Sequence, residues 1–277
     1  MEPMGATEPK VTDPAKRDEP ASPPRESRDA LTGMSFLEHL EELRRRIIYS
    51  LVSVAVCFGV AWNYAGHIFQ YMQRPLLEAL HNHKLDEKLV YLSPTEPFNL
   101  YLKVGMVAGL FLASPLVLYQ VWLFISPGLY RHEKRYVMPF LASTVGLFLA
   151  GGYFGYRLVY PAALDFLIGY GGDFRPMITI GEYTDLFLTV ILGLGLVFEM
   201  PILIFFLALM GVVDAGFLWR NLRYSILIIF FLAAVLTPTT DVVNMCVFAA
   251  PMVALYVLSI GIAWLVHPTQ RRKRKAS

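Results

Sequence analysis

The chain has 277 residues, of which 56% are hydrophobic and 17% charged, and its mean hydropathy is +0.49. That apolar content is high for a soluble domain and places the chain in a membrane. The net charge of +2 decides little, because the charged residues are unevenly placed along the chain.

Residues 1–33 are rich in Pro, Glu, Ser and Arg and have almost nothing to bury, so they read as a disordered tail. This polar start is the reverse of an apolar leader, and no cleavable signal peptide is expected. From Phe36 the pattern changes. Phe36, Leu37, Leu40, Leu43 and Ile47 recur at helical spacing, with Glu38, Glu41, Glu42, Arg44 and Arg45 between them. That spacing predicts an amphipathic surface helix running directly into a membrane span.

Six apolar segments follow, near Ile47–Tyr64, Phe98–Ile125, Val137–Tyr156, Leu186–Met210, Tyr224–Leu236 and Val242–Val266. Five are long enough to cross a bilayer core. Tyr224–Leu236 covers only about 20 Å at ~1.5 Å per residue, against a core of ~30 Å. The predicted fold is an all-α integral membrane protein with a six-span domain over 34–266 and a basic tail at 267–277.

Charges between the spans orient the chain. Arg44–Arg46, then Arg131, Lys134 and Arg135, then Arg220 and Arg223, then Arg271–Lys275 fall on one side. The alternate connections are poorer in basic residues. The bias predicts both termini in the cytoplasm and requires the short fifth segment to cross. Spans five and six then form a shallow hairpin turning at Thr237–Asp241, with local bilayer thinning beside it. A re-entrant hairpin is the alternative.

Between spans one and two, Arg74-Pro75-Leu76-Leu77 predicts a short helix on the outer surface. Ser93-Pro94-Thr95-Glu96 reads as a capping box with Pro at the first helical position. Pro115 is expected to kink span two, and Pro139, Pro201 and Pro251 to kink or start others. Gly105/Gly109 and Gly151/Gly155 are small-xxx-small pairs that permit close helix packing. Cys57 and Cys246 fall in apolar runs and read as small buried hydrophobes. His81 and His83 read as exposed outer-loop residues rather than a metal site. Asp165, Asp173, Glu182 and Asp185 are spread along an outer loop and span entry, with Glu182 and Asp185 near a helix N-terminus.

No phosphate loop, HExxH, GxSxG or CxxC motif occurs, so nothing argues for ATP use, proteolysis or redox chemistry, and no cofactor is expected. One residue stands out. Glu199 lies inside the otherwise apolar run Leu186–Met210, where an ionised side chain costs roughly 3 kcal/mol. Three roles are open to it: a structural acid bonded to a neighbouring helix, a polar site in a wet cavity, and a proton carrier. An ion-coupled secondary transporter is the alternative function, but such proteins usually carry internal repeats and several mid-membrane polar groups. This chain shows neither.

Two acids also stand among basic residues on the cytoplasmic side, Glu42 and Glu133. One reading is local pairing, since Glu41/Arg45 and Glu42/Arg46 are i,i+4 pairs in the favourable order. The other is a receptor for guanidinium groups, which a carboxylate can hold in a bidentate fork that Lys cannot match.

The stretch from Tyr119-Gln120-Val121-Trp122 through Ser126-Pro127-Gly128-Leu129-Tyr130-Arg131-His132-Glu133 resembles the signature of the TatC family, the polytopic subunit of the twin-arginine protein translocase. So do Leu37–Arg44, Phe198-Glu199-Met200-Pro201 and Thr237-Pro238, in family order, with the resemblance covering roughly Ser35 to Val266. The resemblance implies a concave arrangement of six helices in the bacterial cytoplasmic membrane. It implies a non-enzymatic receptor for twin-arginine signal peptides of folded precursors, working with single-span partner subunits of TatA and TatB type. A homo-oligomer within a larger complex is expected, and no nucleic acid. Glu42, Arg44, Phe124, Leu129 and Glu133 match family positions that contact the signal peptide. Glu199 matches the family's intramembrane acid, Pro75 a proline of the first outer loop, and Asp241 the acid at the tip of the last hairpin. Thr237 and Asn244 fall where partner subunits dock. The hairpin tip departs from the family in lacking a second Pro and having a longer approach to the acid. Asn244 and Met245 stand where a polar cluster with Gln is expected.

Overall fold

The computed structural model describes residues 36–85, 88–125, 137–171, 177–237 and 241–275. The predicted tail at 1–33 lies outside the described residues. Contact clustering separates Met1–Glu42 from Leu43–Ser277. The described part of the first unit is the opening of a helix. All the other elements below belong to the second.

The helices, in chain order, are α1 (Phe36–Asn63), α2 (Ala65–Met72), α3 (Arg74–Asn82), α4 (Glu96–Ile125), α5 (Val137–Phe154), α6 (Tyr160–Tyr170), α7 (Ile180–Val197), α8 (Met200–Leu209), α9 (Ala215–Arg220), α10 (Leu222–Leu236) and α11 (Val242–Lys275). Among the described residues there is no strand, and one isolated parallel bridge joins Val90 to Thr179. Five helical stretches are long and apolar enough to cross a membrane: Glu38–Asn63, Glu96–Phe124, Met138–Tyr170, Ile180–Leu209 and Val242–Leu265. With the shorter α10, the fold is the predicted all-α, six-helix membrane domain.

Several boundaries differ from the sequence reading, each for a physical reason. The third span does not end near Tyr156. It passes through a π-helical turn at Gly155–Val159 and continues as α6. Arg157 suggested a loop, but the wider turn leaves it exposed while Gly155 and Val159 stay buried. Asp165 is therefore helical rather than in a loop. The start signal before span two works one or two residues late. Pro94 stands in a turn, the Glu96 amide donates to the Ser93 carbonyl, and the Glu96 carboxylate accepts from the Leu92 amide at 3.3 Å. α4 carries Pro115 inside it. His81 closes α3 rather than lying in a loop. Cys246 is exposed on α11 rather than buried, and Cys57 is half-buried. α11 carries its backbone helix on to Lys275, through most of the predicted basic tail.

Other expectations hold. Thr179 caps α7, accepting from the Glu182 amide at 3.3 Å, with Glu182 in the first turn. Both glycine pairs are points of close approach. A Cβ at Gly109 would lie 2.7 Å from the Phe58 Cα of α1, and one at Gly151 would lie 2.6 Å from the Leu194 carbonyl of α7. Only a missing side chain lets the backbones come this near.

The connection between α1 and α4 is built into the helical core. Pro75, Leu76, Ala79 and Leu80 of α3 are buried, and α3 packs on α6. Two hydroxyls secure the end of α2. Tyr156 donates to the Tyr71 carbonyl at 2.8 Å, and the buried Tyr183 donates to the Met72 carbonyl. These are the carbonyls that a helix end leaves without an internal partner.

Candidate functional site

Glu199 sits at a break in the fourth span. α7 ends at Val197, Phe198 and Glu199 form a turn, and α8 begins at Met200 with Pro201 in its first turn. Pro201 has no N–H to return to the carbonyl four residues back, so the helix cannot run through unchanged. The Glu199 amide instead makes a tighter bond to the Leu196 carbonyl at 3.1 Å, and the Glu199 carbonyl accepts from Leu203 at 3.0 Å. Phe198 is fixed against the third span, its ring 5.5 Å from that of Phe154 and its Cβ against Gly151. This anchoring holds the acid at the corner of the break. The residue is half-buried, and its Oε1 is buried without a hydrogen-bond partner. An unpaired buried polar atom costs about 1–3 kcal/mol.

The basic edge is carried by α1. Glu42 is half-buried on this helix, and Arg44 and Arg45 are exposed. Arg46 reaches across to α4, its Nη1 donating to the Gln120 Oε1 at 3.2 Å. Gln120 lies inside the signature stretch, so this bond fixes the first span against the end of α4. The sequence offered Glu42 as a local partner for Arg46 and gave no sign of Gln120, since nothing local links positions 74 residues apart. Phe124 is half-buried on the last turn of α4. Leu129 and Glu133 lie outside the described residues.

What holds the two ends of that loop is visible. The buried Trp122 of α4 packs against Phe140 of α5 and Phe206 of α8, each at a ring separation of 4.7 Å, and Phe140 meets Phe206 edge-on at 4.2 Å. Such aromatic pairs contribute about 0.5–1.5 kcal/mol beyond area burial. Trp122 was quoted as part of the signature, but a sequence gives no sign of which rings it meets.

At the last hairpin, Asp241 caps α11. Its Oδ1 accepts from the Asn244 amide at 2.7 Å and its Oδ2 accepts from the Asn244 side-chain amide at 3.1 Å. Thr237 is buried and closes α10, its hydroxyl donating to the Ala233 carbonyl at 2.7 Å. Asn244 is also buried. Thr237 thus closes α10, and Asp241 with Asn244 opens α11. Pro75 is buried in the first turn of α3, on a different part of the chain from these groups. Its part is to place the α1–α4 connection. No group of His, Cys, Asp and Glu able to hold a metal occurs among the described residues.

Comparison with known proteins agrees with this arrangement. The family model for TatC, the Sec-independent protein translocase protein, matches residues 38–251. The Sec-independent protein translocase protein TatC of Koribacter versatilis (strain Ellin345) is 68% identical over 262 residues, covering 95% of this chain and 97% of the relative. The TatC of Aquifex aeolicus (strain VF5) is 35% identical, covering 88% of this chain and all of the relative. Among solved structures, a crystal structure of the twin-arginine translocase receptor TatC superimposes with a TM-score of 0.75 at 35% identity, covering 83% of this chain and all of that one. The chain belongs to the TatC family: it is a multi-span component of a bacterial inner-membrane protein translocase, and not an enzyme.

Proposed function

We propose that this protein is the signal-peptide receptor and assembly core of its translocase. It binds twin-arginine signal peptides of folded precursors and recruits small single-span subunits of TatA and TatB type. The observation that carries this reading is the match, over the whole length of the solved chain, to a protein named as the twin-arginine translocase receptor. Both termini lie in the cytoplasm, as the basic residues of alternate connections favour. Glu42 and Glu133 each take a guanidinium in a charge-assisted fork, Arg44 sets the register beside Glu42, and Phe124 and Leu129 give the apolar contacts around them. Glu199 is the polar site met by the inserted peptide, which its unpaired oxygen supports. The hairpin shaped by Thr237, Asp241 and Asn244 is where single-span subunits dock, and several copies of the chain assemble in the working complex.

The test is site-specific crosslinking of a twin-arginine signal peptide to the membrane-embedded protein, with Glu42 and Glu133 each replaced by Ala and by Gln. Motif-specific crosslinking is expected to fall at least tenfold when either fork is lost, since hydrogen bonds to charged groups contribute about 1.5–3 kcal/mol each. Undiminished crosslinking in both sets of variants would overturn the assignment.

A further inference from the structure

Away from the acids, α9 and α11 enclose a groove of about 440 Å³ lined by Ala215, Gly216, Trp219, Ile260, Gly261 and Trp264. Its frame is fixed. The buried Tyr256 hydroxyl of α11 donates to the Leu218 carbonyl of α9 at 3.0 Å and accepts from the Ser225 hydroxyl of α10 at 2.7 Å. Asp214 caps α9 by accepting from the Phe217 amide, which turns the nearest acid to the helix start. The floor is made by two glycines, and the rims are two tryptophans that are 64% and 66% exposed. Exposed tryptophans at the end of a membrane span mark the level of the lipid headgroups.

The basic residues beside the groove are Arg220 and Arg223; the one acid near its floor is Asp214, whose Oδ1 lies 3.6 Å from where a Cβ at Gly216 would stand and is engaged in the cap. Gly216 and Arg220 are four residues apart on α9, so Arg220 follows the groove face one turn on. Arg220 and Arg223 are both exposed, and the Arg223 guanidinium lies 4.8 Å over the Tyr224 ring. An apolar slot with a basic end at headgroup level is complementary to a lipid with an apolar tail and a negative head.

We propose that this groove is a binding site for an anionic glycerophospholipid, with one acyl chain along Gly216 and Gly261 between the two tryptophans and the phosphate at Arg220 and Arg223. The site does not depend on the signal-peptide reading, nor on which side of the membrane it faces. A lipid held there braces the short α9 between the fourth and fifth spans.

The tryptophans are their own probes. The full chain carrying Trp62→Phe, which removes the third exposed tryptophan, is placed in phosphatidylcholine vesicles containing one part in ten of either dibrominated phosphatidylglycerol or dibrominated phosphatidylcholine. Bromine quenches indole emission on contact. Quenching by the brominated phosphatidylglycerol is expected to exceed that by the brominated phosphatidylcholine at least about fivefold in apparent affinity, the effect of one well-placed arginine on an anionic lipid. Arg220→Gln with Arg223→Gln brings the two lipids level. Gly261→Leu reduces quenching by both, and it is a variant expected to fold, because a Cβ at Gly261 meets nothing within 4 Å. Equal quenching by the two lipids in the parent chain would mean ordinary boundary lipid and overturn the proposal. So would a preference for phosphatidylglycerol that survives both substitutions. Loss of all quenching when the partner subunits are present would assign the groove to a protein interface and overturn it as well.

Discussion

Replacing Glu199 by Leu is expected to stabilise the protein while stopping transport. The side chains are of similar size, and Leu suits the apolar flanks Phe198, Met200 and Pro201. The substitution removes an oxygen that is buried without a partner. The cost of such an atom is about 1–3 kcal/mol, and Leu returns it. At about 2–4 °C per kcal/mol for a chain of this size, the thermal midpoint in detergent rises by several degrees. Export of a twin-arginine reporter in cells depleted of the native protein is expected to fall at least tenfold, as the polar-site role proposed for Glu199 requires. Glu199→Gln keeps shape and hydrogen-bonding capacity, so its stability stays within about 1 kcal/mol of the parent and most transport survives. Two results would refute the reasoning. A Leu variant that melts lower would show that the carboxylate has a stabilising partner. A Leu variant that exports normally would remove the polar site from the mechanism. Failure of Gln alone would transfer the role to proton movement.

Two further perturbations test the packing that positions these groups. At Gly109 a Cβ would meet the Phe58 backbone at 2.7–2.8 Å, so Gly109→Ala must push α1 from α4 and should cost about 1–3 kcal/mol, whereas Gly59→Ala meets nothing within 4 Å and should be neutral or better. Paired thermal melts in detergent decide this, and equal midpoints would contradict the close approach. Tyr183→Phe leaves the Met72 carbonyl without its donor and should cost about 1–3 kcal/mol. Hydrogen exchange should rise in α2 and α3 and stay unchanged in α8; uniform loosening would count against a local anchor.

The elements legible in the sequence were those that a bilayer imposes. Length and apolarity found five spans, the charges of the connections called for the short Tyr224–Leu236 segment as well, and the break at Pro201 followed from its missing N–H. Glu182 announced the start of α7 because an acid favours the first turn of a helix, while its Thr179 cap came only with the structure. The misplaced boundary in the third span has the opposite cause. Arg157 is a charge that a π-turn can hold at the surface of a continuing helix, and no local rule separates that from a loop. The contacts that shape the site were out of reach for a similar reason. Arg46 with Gln120, Trp122 with Phe206, and Tyr183 with Met72 join residues 74 to 111 positions apart, so they exist only once the helices are assembled. Glu199 was conspicuous as a lone acid in an apolar run. That its Oε1 is buried without a partner needed the neighbours.

The account rests on guanidinium recognition by carboxylates, and that is measured by binding of a signal peptide fused to a folded reporter, with Arg-Arg compared with Lys-Lys at the motif. Lysine keeps the charge and loses the planar fork. The purified protein should retain the Arg-Arg fusion and bind the Lys-Lys fusion at least tenfold more weakly, and the difference should shrink in Glu133→Gln. Equal retention of the two fusions by the parent protein would contradict bidentate recognition and with it the receptor role proposed for Glu42 and Glu133.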